Sequence, residues 1–126
     1  MDHSKHFSKR ELQCPCCKRV RVRPELLRLL EKIRSVVGVP IVINSAYRCK
    51  KHNREVGGVL SSWHTQGMAA DIRQSKYDNN TFWAMVRRAW LRGLLPEMGG
   101  LGRYRGRIHV DVHHAADGHR REWDYR

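Results

Sequence analysis

No stretch of this sequence reaches the roughly 18 consecutive apolar residues of a membrane-spanning helix. The opening residues, MDHSKHFSKRELQ, hold no apolar run of the kind that forms a secretory signal. The expectation is synthesis in the cytoplasm without a signal peptide. Internal repeats and low-complexity linkers are also missing. The 126 residues therefore read as a single domain, 1–126, with a polar, cysteine-containing N-terminal arm over 1–23. Acidic residues are scarce: 12 Asp and Glu stand against 25 Lys and Arg, a net charge of +13. That balance favours a polyanionic partner without choosing among nucleic acid, cell envelope and membrane surface. Aromatic residues are few, and Trp63, Trp83, Trp90 and Trp123 are scattered. A base-stacking nucleic-acid reader needs aromatics set among its basic residues, so specific nucleic-acid binding is not expected.

The apolar pattern that is present predicts α+β. PELLRLLEKIRSVV over 24–37 reads as a helix, with Pro24 at its first position and Gly38 at its end. Leu26, Leu27, Leu30, Ile33, Val36 and Val37 fall on its inner face. PIVIN, from Pro40, reads as a buried strand. Residues 46–56 read as a loop and short helix broken by Gly57 and Gly58. Ala69–Arg73 reads as a strand, about 80–94 as a second helix, and GGLGRYRG over 99–106 as a glycine-rich loop. RIHVDVH over 107–113 alternates with period two. Trp123 is expected to close the core. The order implies a small, mostly antiparallel sheet with helices packed on one face.

Chemistry concentrates in two segments. Alternation in RIHVDVH puts His109, Asp111 and His113 on one strand face and Ile108, Val110 and Val112 on the other. In SSWHTQGMAADI, over 61–72, His64 and Asp71 lie seven positions apart, a spacing that suits a loop leading into a strand better than one helix face. Together the segments supply two imidazoles and a carboxylate, the ligand count of a catalytic zinc site at the sheet surface.

S-x-H-x-x-G-x-A-x-D, here Ser62, His64, Gly67, Ala69 and Asp71, resembles the signature of the zinc D-Ala-D-Ala carboxypeptidase and L-alanyl-D-glutamate peptidase family. The later H-V-D, His109 to Asp111, is similar to that family's third-ligand strand. INSAYRCKKHNREVGGV resembles the segment preceding the signature in its small single-domain branch. The resemblance implies Zn2+ held by His64, Asp71 and His109, and hydrolysis of peptide bonds in bacterial peptidoglycan stems or cross-links. Arg48 matches the family's active-site arginine, expected to stabilise an oxyanion or hold a substrate carboxylate. Ser62 either contacts substrate or supports its loop, and Tyr104 is a further candidate substrate contact.

One departure stands out. Several branches carry a carboxylate or histidine three residues before the third ligand as general base; here that residue is Gly106. Asp111 is the candidate replacement, or else it orients a ligand histidine. His113 is a candidate for the base or for an alternative ligand.

Cys14, Cys16, Cys17 and Cys49 admit three states. A disulfide could join the N-terminal cluster to Cys49. A second, structural zinc could sit on Cys14, Cys17 and Cys49 with a histidine such as His52. Free thiols are the third.

Two alternatives stay open for function: a peptidase, or a catalytically silent zinc-containing cell-wall binding module; the similar Hedgehog-type signalling domains keep the zinc site while acting as binding modules. A short basic wall peptidase resembles antimicrobial phage endolysins, which act at the wall or periplasm after holin-type release. Its partners would be peptidoglycan and anionic envelope polymers, and it would work as a monomer.

Overall fold

The computed structural model describes residues 2–58 and 62–126. In chain order it runs α1 (Lys9–Leu12), α2 (Pro24–Val37), β1 (Val42–Ser45), α3 (Lys50–Glu55), a 3-10 turn (Trp63–Gln66), β2 (Ala69–Arg73), α4 (Asn79–Leu91), β3 (Gly100–Arg103), β4 (Ile108–Asp111) and β5 (Arg121–Asp124).

The five strands form one sheet in the order β1-β2-β4-β3-β5. The β1–β2, β2–β4 and β3–β4 pairs are antiparallel, whereas β5 joins β3 in parallel, so the sheet is mixed. One face carries Ala70, Ile72, Leu101, Ile108 and Val110, which share a single core with the apolar sides of α2 and α4. The other face carries the polar row. Pairing aligns Ser45, Asp71, His109, Gly102 and Trp123 across all five strands, and Ala69, Asp111, Gly100 and Arg121 beside them.

Helix α2 begins and ends where Pro24 and Gly38 imply. Gly38 takes φ 75° and donates its amide to the Arg34 carbonyl at 2.8 Å. Leu29 joins the expected buried residues, but Val36 is 36% exposed and lies off the inner face. Helix α4 starts one residue early, where the Asp78 carboxylate accepts from the Thr81 amide at 2.7 Å. It stops at Leu91, short of 94, because Gly93 turns the chain with φ 78°.

The N-terminal arm is more structured than its polarity implies. Ser8 and Glu11 form a reciprocal capping box on α1, and Phe7, Leu12, Cys14 and Val22 enter the main core.

The largest difference from expectation is the glycine-rich segment, which forms strand β3 over Gly100–Arg103. A Cβ on Gly100 would lie 2.5 Å from Asp111 Oδ2, and one on Gly102 would overlap the Trp123 indole. The glycines mark where large side chains of neighbouring strands fold across a flat strand. Trp123 accordingly lies on the polar face beside His109, with ring centroids 5.0 Å apart, and does not close the core.

Candidate metal centre

His64 is delivered by the 3-10 turn. Ser62 caps that turn, its hydroxyl accepting the His64 amide at 3.2 Å. Gly67 closes it with φ 70°, and a Cβ there would strike the Arg21 carbonyl of the overlying arm. The Arg23 amide donates to the Gly67 carbonyl at 2.9 Å, so the arm seals the turn from outside. The buried His64 ring donates through Nδ1 to the Ala46 carbonyl at 2.7 Å. That contact leaves Nε2 pointing at Asp71 Oδ1, 3.3 Å away.

Asp71 sits on β2 directly opposite His109 on β4. His109 Nδ1 lies 3.2 Å from the same Asp71 Oδ1, while Nε2 donates to Asp111 Oδ2 at 2.8 Å. Both rings are thus oriented from behind by a hydrogen bond, one to a carbonyl and one to a carboxylate. Their remaining nitrogens converge on one carboxylate oxygen. All three donor atoms lie within 4.8 Å of one another. This is the outer support typical of histidine ligands, and a donor set of two imidazoles and a carboxylate suits zinc. The residues therefore fit the metal.

Electrostatics follow the geometry. Burial pushes the Asp71 carboxyl up, but hydrogen bonds from His109 and His64 outweigh it and hold the group well below the usual range. Burial likewise opposes ionisation of Asp111, and His109 and Arg121 overcome it. Burial favours neutral His109, whereas Asp111 and Asp71 raise its pKa above the ordinary value.

Arg48 spans the floor of the site. Its Nε donates to Ser45 Oγ at 3.0 Å, Nη1 to Asn53 Oδ1 at 3.2 Å and Nη2 to Asp71 Oδ2 at 3.2 Å. A cleft of about 480 Å3 opens over the three donor residues, and Arg48, Ser62 and Tyr104 line it as well.

Asp111 and His113 do not line the cleft. The Asp111 side chain is fully buried, and both its oxygens are engaged by His109 and Arg121. β4 ends at Asp111, and His113 beyond it stacks its ring on Trp63 at 3.8 Å. His113 thus lies beyond the end of β4 and packs against a cleft residue without lining the cleft itself. Gly106 occupies the turn between β3 and β4, where the Tyr104 amide donates to the Arg107 carbonyl at 3.1 Å and Gly106 takes φ 71°. The tightness of that turn favours glycine there. Among the described residues lining the cleft, Asp71 is the sole carboxylate.

Several cleft residues were not picked out as site residues from the sequence, among them Trp63, Arg107, Arg121, Trp123 and Tyr125. Arg121 is the most consequential. Its Nη1 donates to Asp111 Oδ1 at 2.8 Å and to the His113 carbonyl at 2.9 Å, which latches β5 to the centre. The available signal was the R-E-W-D alternation, which puts Arg121 and Trp123 on one strand face.

No curated protein matches the chain significantly. The model of the Peptidase M15 family matches residues 5–111, most of the chain and all three donor residues. Enzymes of that family use zinc, which agrees with the donor set. With the match covering the arm, the turn and strands β1 to β4, the chain belongs to the M15 peptidases and is a metallopeptidase.

Proposed function

We propose that the chain is a zinc-dependent peptidoglycan peptidase acting on a stem-peptide or cross-link bond, with residues 1–126 working as one catalytic unit. The convergence of His64 Nε2 and His109 Nδ1 on Asp71 Oδ1 carries this reading. Zinc bound there supplies Lewis acidity and an acidified water at near-neutral pH. The protein supplies the rest. Ala46 and Asp111 fix the two imidazoles in the required tautomers. Asp111 is therefore a positioning residue, and Arg121 holds its charge in place. Arg48 braces Asp71 and, with Arg107 and Arg121, presents positive charge to the carboxylates of an acidic peptide stem. Tyr104 Oη accepts from Trp123 Nε1 at 2.9 Å, which frees its own O–H to donate to a substrate carbonyl. Ser62 supports the His64 turn. The net charge of +13 steers the enzyme to anionic envelope polymers and fits wall lysis of the endolysin type.

One observation favours the second reading, a silent wall-binding module: no second carboxylate lines the cleft among the described residues. The test is mass spectrometry of muropeptides after incubation of purified walls with zinc-loaded protein, with and without chelator. The peptidase reading expects new amino and carboxyl termini at one bond, lost with chelator and in His64→Ala. Binding to walls with no new termini would establish the silent module instead.

A further inference from the structure

Cys14, Cys17 and Cys49 form a second convergent cluster outside the cleft. Their three sulfurs lie within 4.8 Å of one another, and those of Cys14 and Cys49 are 3.7 Å apart. The surrounding backbone is built around these sulfurs. The Cys14-Pro15-Cys16-Cys17 turn closes with the Lys18 amide on the Cys14 carbonyl and the Cys14 amide on the Arg19 carbonyl, both at 2.8 Å. Lys18, with φ 63°, is the sole non-glycine residue in the left-handed region among the described residues. A lysine in that conformation carries a strain cost, and here it brings the sulfurs of a C-x2-C pair to one side. Amides converge on the sulfurs too. Cys49 N–H reaches Cys14 Sγ at 3.4 Å, and His52 N–H reaches Cys49 Sγ at 3.4 Å.

Inert free thiols need no such donors, whereas the N–H groups aimed at the Cys14 and Cys49 sulfurs stabilise thiolate charge. A disulfide would use two sulfurs and leave the third packed against it. We propose that Cys14, Cys17 and Cys49 bind one Zn2+ as thiolates, at a structural site separate from His64, Asp71 and His109. Soft thiolates select zinc over magnesium or calcium, and a structural zinc closes its shell with four ligands. Cys16, exposed in the same turn and outside the mutually close trio, is the candidate for the fourth. His52 instead has Nδ1 3.8 Å from Glu55.

The position gives this site a task. Cys49 follows Arg48, which braces Asp71, and Ala46 holds the His64 ring. The Tyr47 amide meets the Leu12 carbonyl at 3.4 Å, two residues before Cys14. Zinc on the thiolates thus clamps the N-terminal arm to the loop that orients two of the three residues of the other centre. The inference does not rest on catalysis, since no ligand of the thiolate site lines the cleft.

The test uses full-length protein purified under reductant. Metal analysis is expected to find two zinc ions per chain, falling to one in His64→Ala and to one in Cys14→Ser/Cys17→Ser. A thiol-specific mercurial added to wild-type protein should release one zinc and leave the other, so the result stands even if the cysteine variants do not fold. Cobalt substitution should give a thiolate-to-metal charge-transfer band that survives in His64→Ala. Exchange of the Arg48 amide, bonded to the His64 carbonyl at 3.2 Å, should accelerate on mercurial treatment. One zinc with four titratable thiols, or one zinc with two thiols and a disulfide, overturns the site. Unchanged Arg48 protection after zinc release overturns the clamp.

Discussion

His109 donates from Nε2 to the buried carboxylate of Asp111 at 2.8 Å, and this single contact decides which of its nitrogens faces the metal centre. Asp111→Asn is expected to weaken zinc binding by about 10–100-fold, with turnover largely recovered when zinc is added in excess. Zinc titration and turnover at saturating zinc check this together. A general base would behave oppositely, with zinc affinity intact and turnover lost at full occupancy.

Arg48→Lys separates bracing from substrate binding. Lysine can replace the charge but cannot span Ser45, Asn53 and Asp71 with one rigid fork. The expected outcome is a loss of about 1–2 kcal/mol in denaturant unfolding, together with weaker zinc binding. If stability and zinc affinity hold while KM alone rises, Arg48 serves the substrate and is not a brace.

The glycines of β3 are expected to resist substitution. Gly102→Ala should cost about 1–3 kcal/mol by driving a methyl into the Trp123 indole. Gly100→Ala should cost a similar amount by displacing the Asp111–Arg121 pair. Thermal unfolding followed by tryptophan fluorescence reads both. Wild-type stability in either variant would show that β3 does not pack as described.

Glu31 ties the N-terminal arm to α2, accepting from the Ser4 hydroxyl at 2.6 Å and the His6 amide at 2.7 Å. Burial pushes its pKa up, but these bonds and the His6 ring lower it below the ordinary 4.5. A depressed folded pKa stabilises above the unfolded value, and the contribution is lost as pH falls through the folded value. Glu31→Gln should therefore cost about 1 kcal/mol at neutral pH, with the difference from wild type shrinking below pH 4.5. Paired denaturation curves at neutral and acid pH check it; a difference that grows on acidification contradicts it.

The donor residues were legible because their chemistry coincides with simple periodicities. His109 and Asp111 alternate with Ile108 and Val110, and His64 and Asp71 straddle a glycine turn that leads into β2. β3 was not legible, since Gly100 and Gly102 read as loop when their purpose is set by Asp111 and Trp123 on other strands. Trp123 was misplaced for the same reason: its face depends on the parallel pairing of β5 with β3, which no local pattern encodes. The arm was readable in part. Ser8-x-x-Glu11 is a capping-box signature, but the burial of Phe7 and Leu12 appears only once α2 and β1 are in place. Gly106 was read as a position without a base, and its part in the turn shows only once β3 and β4 pair.

The most direct test of the metal centre is an anomalous difference map at the zinc absorption edge from crystals of the full chain. The expected result is a peak coordinated by His64 Nε2, Asp71 Oδ1 and His109 Nδ1. No peak there, or one ligated through His109 Nε2 or His113, would contradict it.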